Sequence, residues 1–390
     1  MPTTLRDEAA IVGIGQSKFS KNSGVSELQL ACEAVAAAIE DSGLDPSEVD
    51  GLTTFTLDTN DEIDVARAVG IGDMTFYSRV PYGGGAATGI VHQAAMAVAT
   101  GSAKVVVAYR ALNGRSGRRY SQGVGGGIVT SDLIHWSWYM PWGLLTPTSW
   151  VAMFTQRYMH EYGAKAEDLA QIALSTRKHA VNNPEAFFYQ RPLSLEDYMS
   201  ARWIAEPLRL YDCCQETDGG CAVVITTPER ARDCKQPGAL IRGVASAAGA
   251  DQEQMTSFYR ESISGLPEMD MVARQVYEQS GLCASDIDAA VIYDAFTSIV
   301  FWQLESFGFC ERGEAGDFVK DGALEVGGRL PTNTHGGQLS EAYIHGVNGI
   351  NEGVRLIRGS STNQPEKNDH VLVTSGVGVP TSAMILGKLD

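Results

Sequence analysis

Paired cysteines are missing from this sequence. The seven present, at positions 32, 213, 214, 221, 234, 283 and 310, are odd in number and show no C-x-x-C spacing. Neither a disulfide framework nor a zinc site is indicated. Met1 to Gly15 lacks a basic start followed by an apolar stretch, and no run approaches the length of a membrane span. A cytoplasmic globular protein is expected. No G-K-[ST] phosphate loop occurs, and Gly123 to Gly127 follows polar residues rather than a strand. Gly13-Ile14-Gly15 follows the first predicted strand, but Lys18 stands at the third glycine position and Lys21-Asn22-Ser23-Gly24 delays the helix, so no dinucleotide site is read there. No metal or cofactor is expected. Positive charge is also scarce: 47 acidic residues against 30 basic ones give a formal charge of -17, which repels a nucleic-acid backbone. One basic group stands out, Arg110, Arg115, Arg118 and Arg119. It reads either as a phosphate-binding cluster or as the solvated edge of an insertion.

What the chain does have is a repeat. Ser42-Gly43-Leu44-Asp45-Pro46-Ser47-Glu48-Val49-Asp50 returns 238 residues later as Ser280-Gly281-Leu282-Cys283-Ala284-Ser285-Asp286-Ile287-Asp288. Each copy follows an amphipathic helical pattern, carried by Leu28, Ala31, Cys32, Val35 and Ile39 in the first and by Met269, Val272 and Val276 in the second. Ser26 and Gln29 have capping-box spacing, and Gly43 and Gly281 suit left-handed helix ends. Further on, Gly89-Ile90 leads through a helical stretch to Gly101-Ser102 and Val105 to Val107. Gly349-Ile350 leads likewise to Gly359-Ser360 and Val371 to Val373. Two halves with the same alternation of strands and helices imply an α/β architecture with helix-covered mixed sheets. With 390 residues, 44% of them hydrophobic, the chain can fill a sizeable core.

Residues 113–211 fit neither copy and read as an insertion. The division expected is therefore 1–112 plus 212–230 for the first half, 113–211 for the insertion and 231–390 for the second half. Trp136, Trp138, Trp142 and Trp150 fall in the insertion. They suit either a cavity for a large apolar ligand or a small core of its own.

Duplicated halves with a long insertion in the first resemble the thiolase superfamily. Asn333-Thr334-His335-Gly336-Gly337-Gln338-Leu339-Ser340-Glu341-Ala342-Tyr343-Ile344-His345-Gly346 resembles the pattern N-x-x-G-G-x-x-A-x-G-H-P-x-G, with Tyr343 at the place of its histidine. Val291-Ile292-Tyr293-Asp294-Ala295-Phe296 resembles the N-E-A-F motif, or its H-D-C-F version in the sterol-carrier-protein-x branch, with Tyr293 at the leading position. Val371 to Gly378 resembles the closing C-x-G-G-G-x-G element, with Leu372 where a cysteine belongs. Tyr82-Gly83-Gly84-Gly85-Ala86 stands where the nucleophilic cysteine loop belongs. Leu210 to Cys214 with Asp218-Gly219-Gly220 is similar to the D-C-C-P-x-S-D-G-A stretch of the same branch, with Gln215 replacing the proline. The resemblance implies a thiolase fold: two βαβαβαββ halves in αβαβα layers, with an inserted loop domain.

Both cysteines and the histidine of thiolase chemistry are thus replaced, and without a thiolate no acyl-enzyme forms. The subgroup most similar to such a site is the lipid-transfer-protein aldolases of bacterial sterol degradation. That resemblance implies retro-aldol cleavage of a steroid β-hydroxyacyl-CoA, giving a 17-ketosteroid and propionyl-CoA without a covalent intermediate. Tyr293 and Tyr343 are then the expected acid and base, since a phenol both donates and accepts. Asp294, His335 and His345 are expected tuners. Tyr82, Gly83, Gly336, Gly337 and Gly376 would form the thioester pocket, and Arg115, Arg118 and Arg119 would be candidates for the CoA phosphates. A homodimer and a small OB-fold and zinc-ribbon partner are implied as well. The other reading is a non-catalytic acyl-CoA or lipid-binding subunit. Two ionisable phenols at the replaced positions, with the neighbouring glycines kept, favour chemistry.

Overall fold

A computed structural model describes residues 5–81, 83–117, 119–122, 137–250, 253, 255, 257–376, 378 and 380–389. The chain begins with β1 (Ala10–Gln16), α1 (Glu27–Ser42), β2 (Gly51–Phe55), α2 (Glu62–Val69), β3 (Phe76–Val80), α3 (Ala87–Ala99) and β4 (Val105–Asn113). Helices α4 (Pro147–Tyr162), α5 (Ala166–Asn182) and α6 (Leu195–Ser200) follow, with a two-stranded ribbon of β5 (Trp203–Ala205) and β6 (Leu208–Arg209). Strand β7 (Asp218–Thr226) then completes the first set. The second set is β8 (Ala239–Ala247), α7 (Pro267–Ser280), β9 (Ala289–Val291), α8 (Thr297–Ser306), α9 (Val347–Arg358), β10 (His370–Ser375) and β11 (Thr381–Lys388).

The repeat read from the sequence is a structural one. Helices α1 and α7 both end on left-handed glycines, Gly43 at φ 77° and Gly281 at φ 72°. Each is followed by a one-turn 3₁₀ helix, Pro46–Glu48 or Ala284–Asp286, and then a strand. The Ser26 hydroxyl accepts from the Gln29 N–H at 3.1 Å, but the Gln29 side chain turns to Glu33 at 2.9 Å instead of closing the capping box. The buried face of α1 also differs from expectation: it is Leu30, Ala31, Ala34, Val35, Ala38 and Ile39, with Leu28 and Cys32 only partly buried. Strand glycines explain this shift. A Cβ on Gly13 would lie 2.1 Å from the Ala38 carbonyl oxygen, and one on Gly15 would lie 2.2 Å from that of Ala34. The Gly13-x-Gly15 pair therefore lets helix and strand pack backbone to backbone.

Nine strands form one mixed sheet in the order β3-β2-β4-β7-β1-β8-β11-β10-β9. In the first half β2 runs parallel to β3 and β4, whereas β7 is antiparallel to β4 and β1. The second half repeats this: β9 parallel to β10, β11 antiparallel to β10 and β8, and Thr332 bridging Ala290 in parallel where a third strand would stand. The halves join through a short antiparallel pairing, Ala10 with Leu240 and Ile11 with Ala239. Three apolar clusters fill the spaces. One lies between α1 and the first half-sheet, one surrounds α3 and α9 between the half-sheets, and one packs α7, α8 and the insertion helices on the far side. Loops at the ends of β9 and β10 and at the starts of α3 and α9 thereby meet.

Candidate active site

Tyr293 stands two residues after the end of β9. Its N–H donates to Thr374 Oγ1 on β10 at 3.0 Å, and its carbonyl accepts from Gln303 Nε2 on α8 at 2.7 Å. Asn333 exchanges two 2.8 Å hydrogen bonds with the Ile292 backbone just before it. Tyr343 lies between a π-helical turn at Gly337–Glu341 and α9, with its N–H donating to Thr217 Oγ1 at 2.8 Å. So held, the two phenol oxygens stand 3.2 Å apart. Tyr293 is buried and Tyr343 keeps some exposure. Burial raises both phenols well above their ordinary value. Both are therefore protonated, each able to donate one proton and accept another.

The glycine loop before α3 supplies the space. A Cβ on Gly84 would fall 1.8 Å from the Tyr293 hydroxyl oxygen, and one on Gly85 would fall 1.6 Å from the Pro380 carbonyl. Side-chain hydroxyls fasten this loop to β10 and β11. Ser382 Oγ donates to the Gly85 carbonyl at 2.6 Å, and Ser375 Oγ accepts from the Thr88 N–H at 3.1 Å. Tyr82 lies outside the described residues. Leu372, at the other thiolase cysteine position, is fully buried in β10 opposite Ile385. All seven cysteines are free. Burial raises the thiols of Cys213 and Cys214, which keeps them protonated, and the Cys214 N–H donates to the Ala295 carbonyl at 2.9 Å.

Asp294 turns away from the phenols toward the π-helical turn. Its carboxylate accepts from the N–H of Gln338 at 2.8 Å and of Leu339 at 3.4 Å. Burial nevertheless raises it to about 7, with those N–H groups pulling the other way. Gly337 makes this approach possible: it sits at φ 60°, and a Cβ there would lie 2.0 Å from an Asp294 oxygen. Gly336 is closed against Ala180 of α5 at 2.7 Å, and Gly376 against Thr381 Oγ1 at 2.0 Å. Protein, not open space, thus fills the space beside these last two. Of the glycines predicted for the pocket, Gly83 adjoins His345, next to Tyr343.

The two histidines part company. His345 adopts a left-handed backbone, φ 50°, and stands edge-on to the Tyr343 ring at 4.9 Å. Its Nδ1 accepts from Arg110 Nε at 3.2 Å, and Arg110 Nη1 pairs with Asp58 at 2.8 Å. Burial, then the nearby guanidinium, lowers the imidazole well below its ordinary range. His335 instead lies with Nε2 3.8 Å from Glu341. Burial lowers His335 to about 3 and raises Glu341 to about 8, so the two meet as neutral groups rather than as an ion pair. Asn348 and Asn183 hold Glu341 at 2.9 and 3.1 Å. Among the described residues no contact links His335 to the tyrosines.

The arginines do not form one cluster. Arg110 is buried on β4, Arg119 pairs with Glu216 at 3.0 Å, and the Arg115 N–H donates to Asp218 at 2.8 Å. Arg118 lies outside the described residues. The insertion's tryptophans are dispersed too. Trp150 is buried, with its indole N–H donating to the Leu144 carbonyl at 2.8 Å, whereas Trp138 and Trp142 are 73% and 81% exposed. Trp136 falls outside the described residues. A cavity of about 520 Å³ lies beside α5, lined by Leu174, Arg177, Lys178, Leu193 and Leu324 among others, and touches none of the predicted site residues. Sequence reasoning missed Asp58, Thr217, Gln303 and Thr374. No motif marks them: Asp58, Thr217 and Thr374 act on partners more than fifty residues away, and Gln303 reaches the Tyr293 carbonyl ten residues back from inside an apolar helix. Among the described residues no group of three or more metal-ligating side chains occurs, and no helix is long and apolar enough to cross a membrane.

A family model described as thiolase C-terminal domain-like matches residues 249–388. The chain is 62% identical over 387 residues to the steroid side-chain-cleaving aldolase of Thermomonospora curvata, covering 99% of both proteins. It is 57% identical over 385 residues to the 17-hydroxy-3-oxo-4-pregnene-20-carboxyl-CoA lyase of Mycobacterium tuberculosis, covering 98% of this chain and all of that protein. A solved structure named as an Ltp2-ChsH2(DUF35) aldolase superposes with a TM-score of 0.95 at 62% identity, covering 99% of each chain.

Proposed function

Since the chain belongs to the thiolase-fold family of steroid side-chain-cleaving aldolases, we propose that its tyrosine pair carries out a retro-aldol cleavage of a 17-hydroxy steroid side chain held as a coenzyme A thioester. The C17 hydroxyl gives up its proton, the C17–C20 bond breaks, and C17 becomes a ketone. The released electron pair forms the thioester enolate, and a proton delivered to C20 completes propionyl-CoA. Nothing else is consumed. The observation that carries this reading is the 3.2 Å contact between Tyr293 and Tyr343 beside a glycine loop with no cysteine. Both phenols are protonated, so they serve best as a relay: one accepts the hydroxyl proton, passes its own across the 3.2 Å contact to the other, and that one gives its proton to carbon. No phenolate needs to accumulate.

Asp294, His335 and the glycines at 83, 336, 337 and 376 would shape the site rather than react. The division at 1–112 plus 212–230, 113–211 and 231–390 goes with this reading, as does a cytoplasmic location. Arg115 and Arg119 stay candidates for the CoA phosphates, Arg119 only by exchanging its Glu216 partner. A homodimer is supported by β3, an edge strand with Tyr77 70% exposed and Ile63 on the adjoining helix 63% exposed. Such an unpaired edge suits a second copy. The name of the solved relative joins two components, which supports a partner chain; its being a small OB-fold and zinc-ribbon protein is what the family resemblance implies. Size exclusion with and without that partner tests the assembly.

Kinetics test the chemistry. Tyr293→Phe and Tyr343→Phe are each expected to lower kcat for the steroid thioester by about 10²–10⁴. Near-normal release of propionyl-CoA by either variant would overturn the relay.

A further inference from the structure

Bond cleavage leaves a negative charge on the thioester oxygen, and in the relay each phenol's proton is already committed to transfer. We propose that His345 is a further catalytic residue, its Nε2–H donating to the thioester oxygen as this becomes the enolate. Arg110, held by Asp58, is the positioning residue that fixes the imidazole in the required tautomer. This rests on the retro-aldol reading above and adds a group to it.

A guanidinium has five N–H donors and no acceptor. The 3.2 Å contact from Arg110 Nε therefore requires a lone pair on His345 Nδ1, which leaves the ring proton on Nε2. Arg110 cannot turn away. Its Nη1 donates to Asp58 Oδ2 at 2.8 Å and to the Ala111 carbonyl at 2.6 Å. Asp58 is itself held by the Ala111 N–H at 3.1 Å and by the N–H and amide of Asn60 at 3.0 and 2.9 Å. Three rings, those of Phe55, Tyr120 and Tyr343, pack around the imidazole at 5.8, 5.3 and 4.9 Å.

The opposite edge of the ring faces the glycine loop. A Cβ on Gly83 would lie 3.1 Å from Nε2, next to Gly84, whose Cβ would strike the Tyr293 hydroxyl. Consecutive glycines thus border the Nε2–H and the tyrosine relay. Among the described residues Nε2 forms no hydrogen bond. A neutral imidazole donor set in advance against a developing oxyanion lowers the barrier without itself taking or losing a proton. The electron pair goes to the enolate oxygen, and the proton balance stays with the tyrosines.

The test uses the full chain together with its partner. His345→Asn keeps an acceptor near the Nδ1 position and tolerates the left-handed backbone, but puts nothing where Nε2 was. Its kcat is expected to fall about 10²–10³-fold with KM little changed. His345→Gln, which places an amide N–H farther out, is expected to recover part of that loss. Arg110→Lys keeps a charge beside Asp58 but loses the donor fork. Nitrogen-15 spectra of its labelled imidazole are expected to show both tautomers, against the Nε2–H form alone in the unmodified protein, and kcat is expected to fall with KM held. Near-normal kcat in a folded His345→Asn protein would overturn the inference. So would a ring proton on Nδ1 in the unmodified protein, a measurement that needs no variant to fold. If Tyr343→Phe is inactive while His345→Asn is active, only this inference fails. If Tyr343→Phe is active, the relay itself fails.

Discussion

The two halves share a topology but not a task. Helices α3 and α9 are equivalent central helices, both largely buried between the half-sheets. The start of α3 is glycine and alanine, and what it contributes to the site is room. Helix α9 carries Asn348, Asn351 and Glu352 inside the protein. Asn351 donates to the Gly15 carbonyl at 2.9 Å, and Asn348 ties down Glu341 of the π-helical turn. The second half also supplies Tyr293, Asp294, Tyr343 and His345. Duplication thus let one copy open a space and brace it, through Arg110 and Asp58, while the other supplied the tyrosines and His345, and only their joint packing makes a site.

Gly337→Ala would break this division hardest. Its Cβ would enter the Asp294 carboxylate from a left-handed backbone, so a loss of about 2–5 kcal/mol in stability is expected from strain and overpacking together. Urea unfolding reads it. Gly84→Ala attacks the other half: the new methyl would displace the Tyr293 hydroxyl, and a shift of that size is expected to cost about 10² in kcat. An active Gly84→Ala would show that Tyr293 is not where the chemistry occurs.

Asp294→Asn sharpens the comparison through pH. Burial raises this carboxyl to about 7, above roughly 3.9 in the unfolded chain. The folded protein therefore keeps a proton that the unfolded chain has lost. The associated stability is complete below about pH 4 and disappears as pH rises toward 7. The stability difference between the unmodified protein and Asp294→Asn should fall across that window and stay level above it. A difference that is flat from pH 4 to 7 would mean an ordinary carboxylate. The smallest effect belongs to the insertion. Trp142 is 81% exposed, and Trp142→Ala should change stability by no more than about 0.5 kcal/mol by thermal melting.

Much of this was legible beforehand where the signal is local. Helix ends at Gly43 and Gly281, the repeated strand order and the tyrosines at motif positions all follow from short stretches of chain. Misreadings occurred where a local signal had a distant cause. Arg110 lies near Arg115 and Arg119 in sequence, yet its side chain points into the interior toward Asp58 and His345. His335 and His345 sit ten positions apart in one loop, yet the left-handed turn at His345 sends them to different neighbours. Exposed Trp138 and Trp142 could not be told from buried Trp150, because residue type alone does not say which side of a helix meets a core.

From the sequence alone came the doubled α/β plan, the absence of a nucleophilic cysteine and the two phenols at other catalytic motif positions. These depend on residue identity and short-range periodicity. Which groups touch was decided by the sheet order, which brings β4, β9 and β10 and the start of α3 to one end of the molecule. Arg110 reaches Asp58 across 52 residues and His345 across 235. No periodicity records such separations, and burial at that meeting point raises both phenols well above their ordinary value.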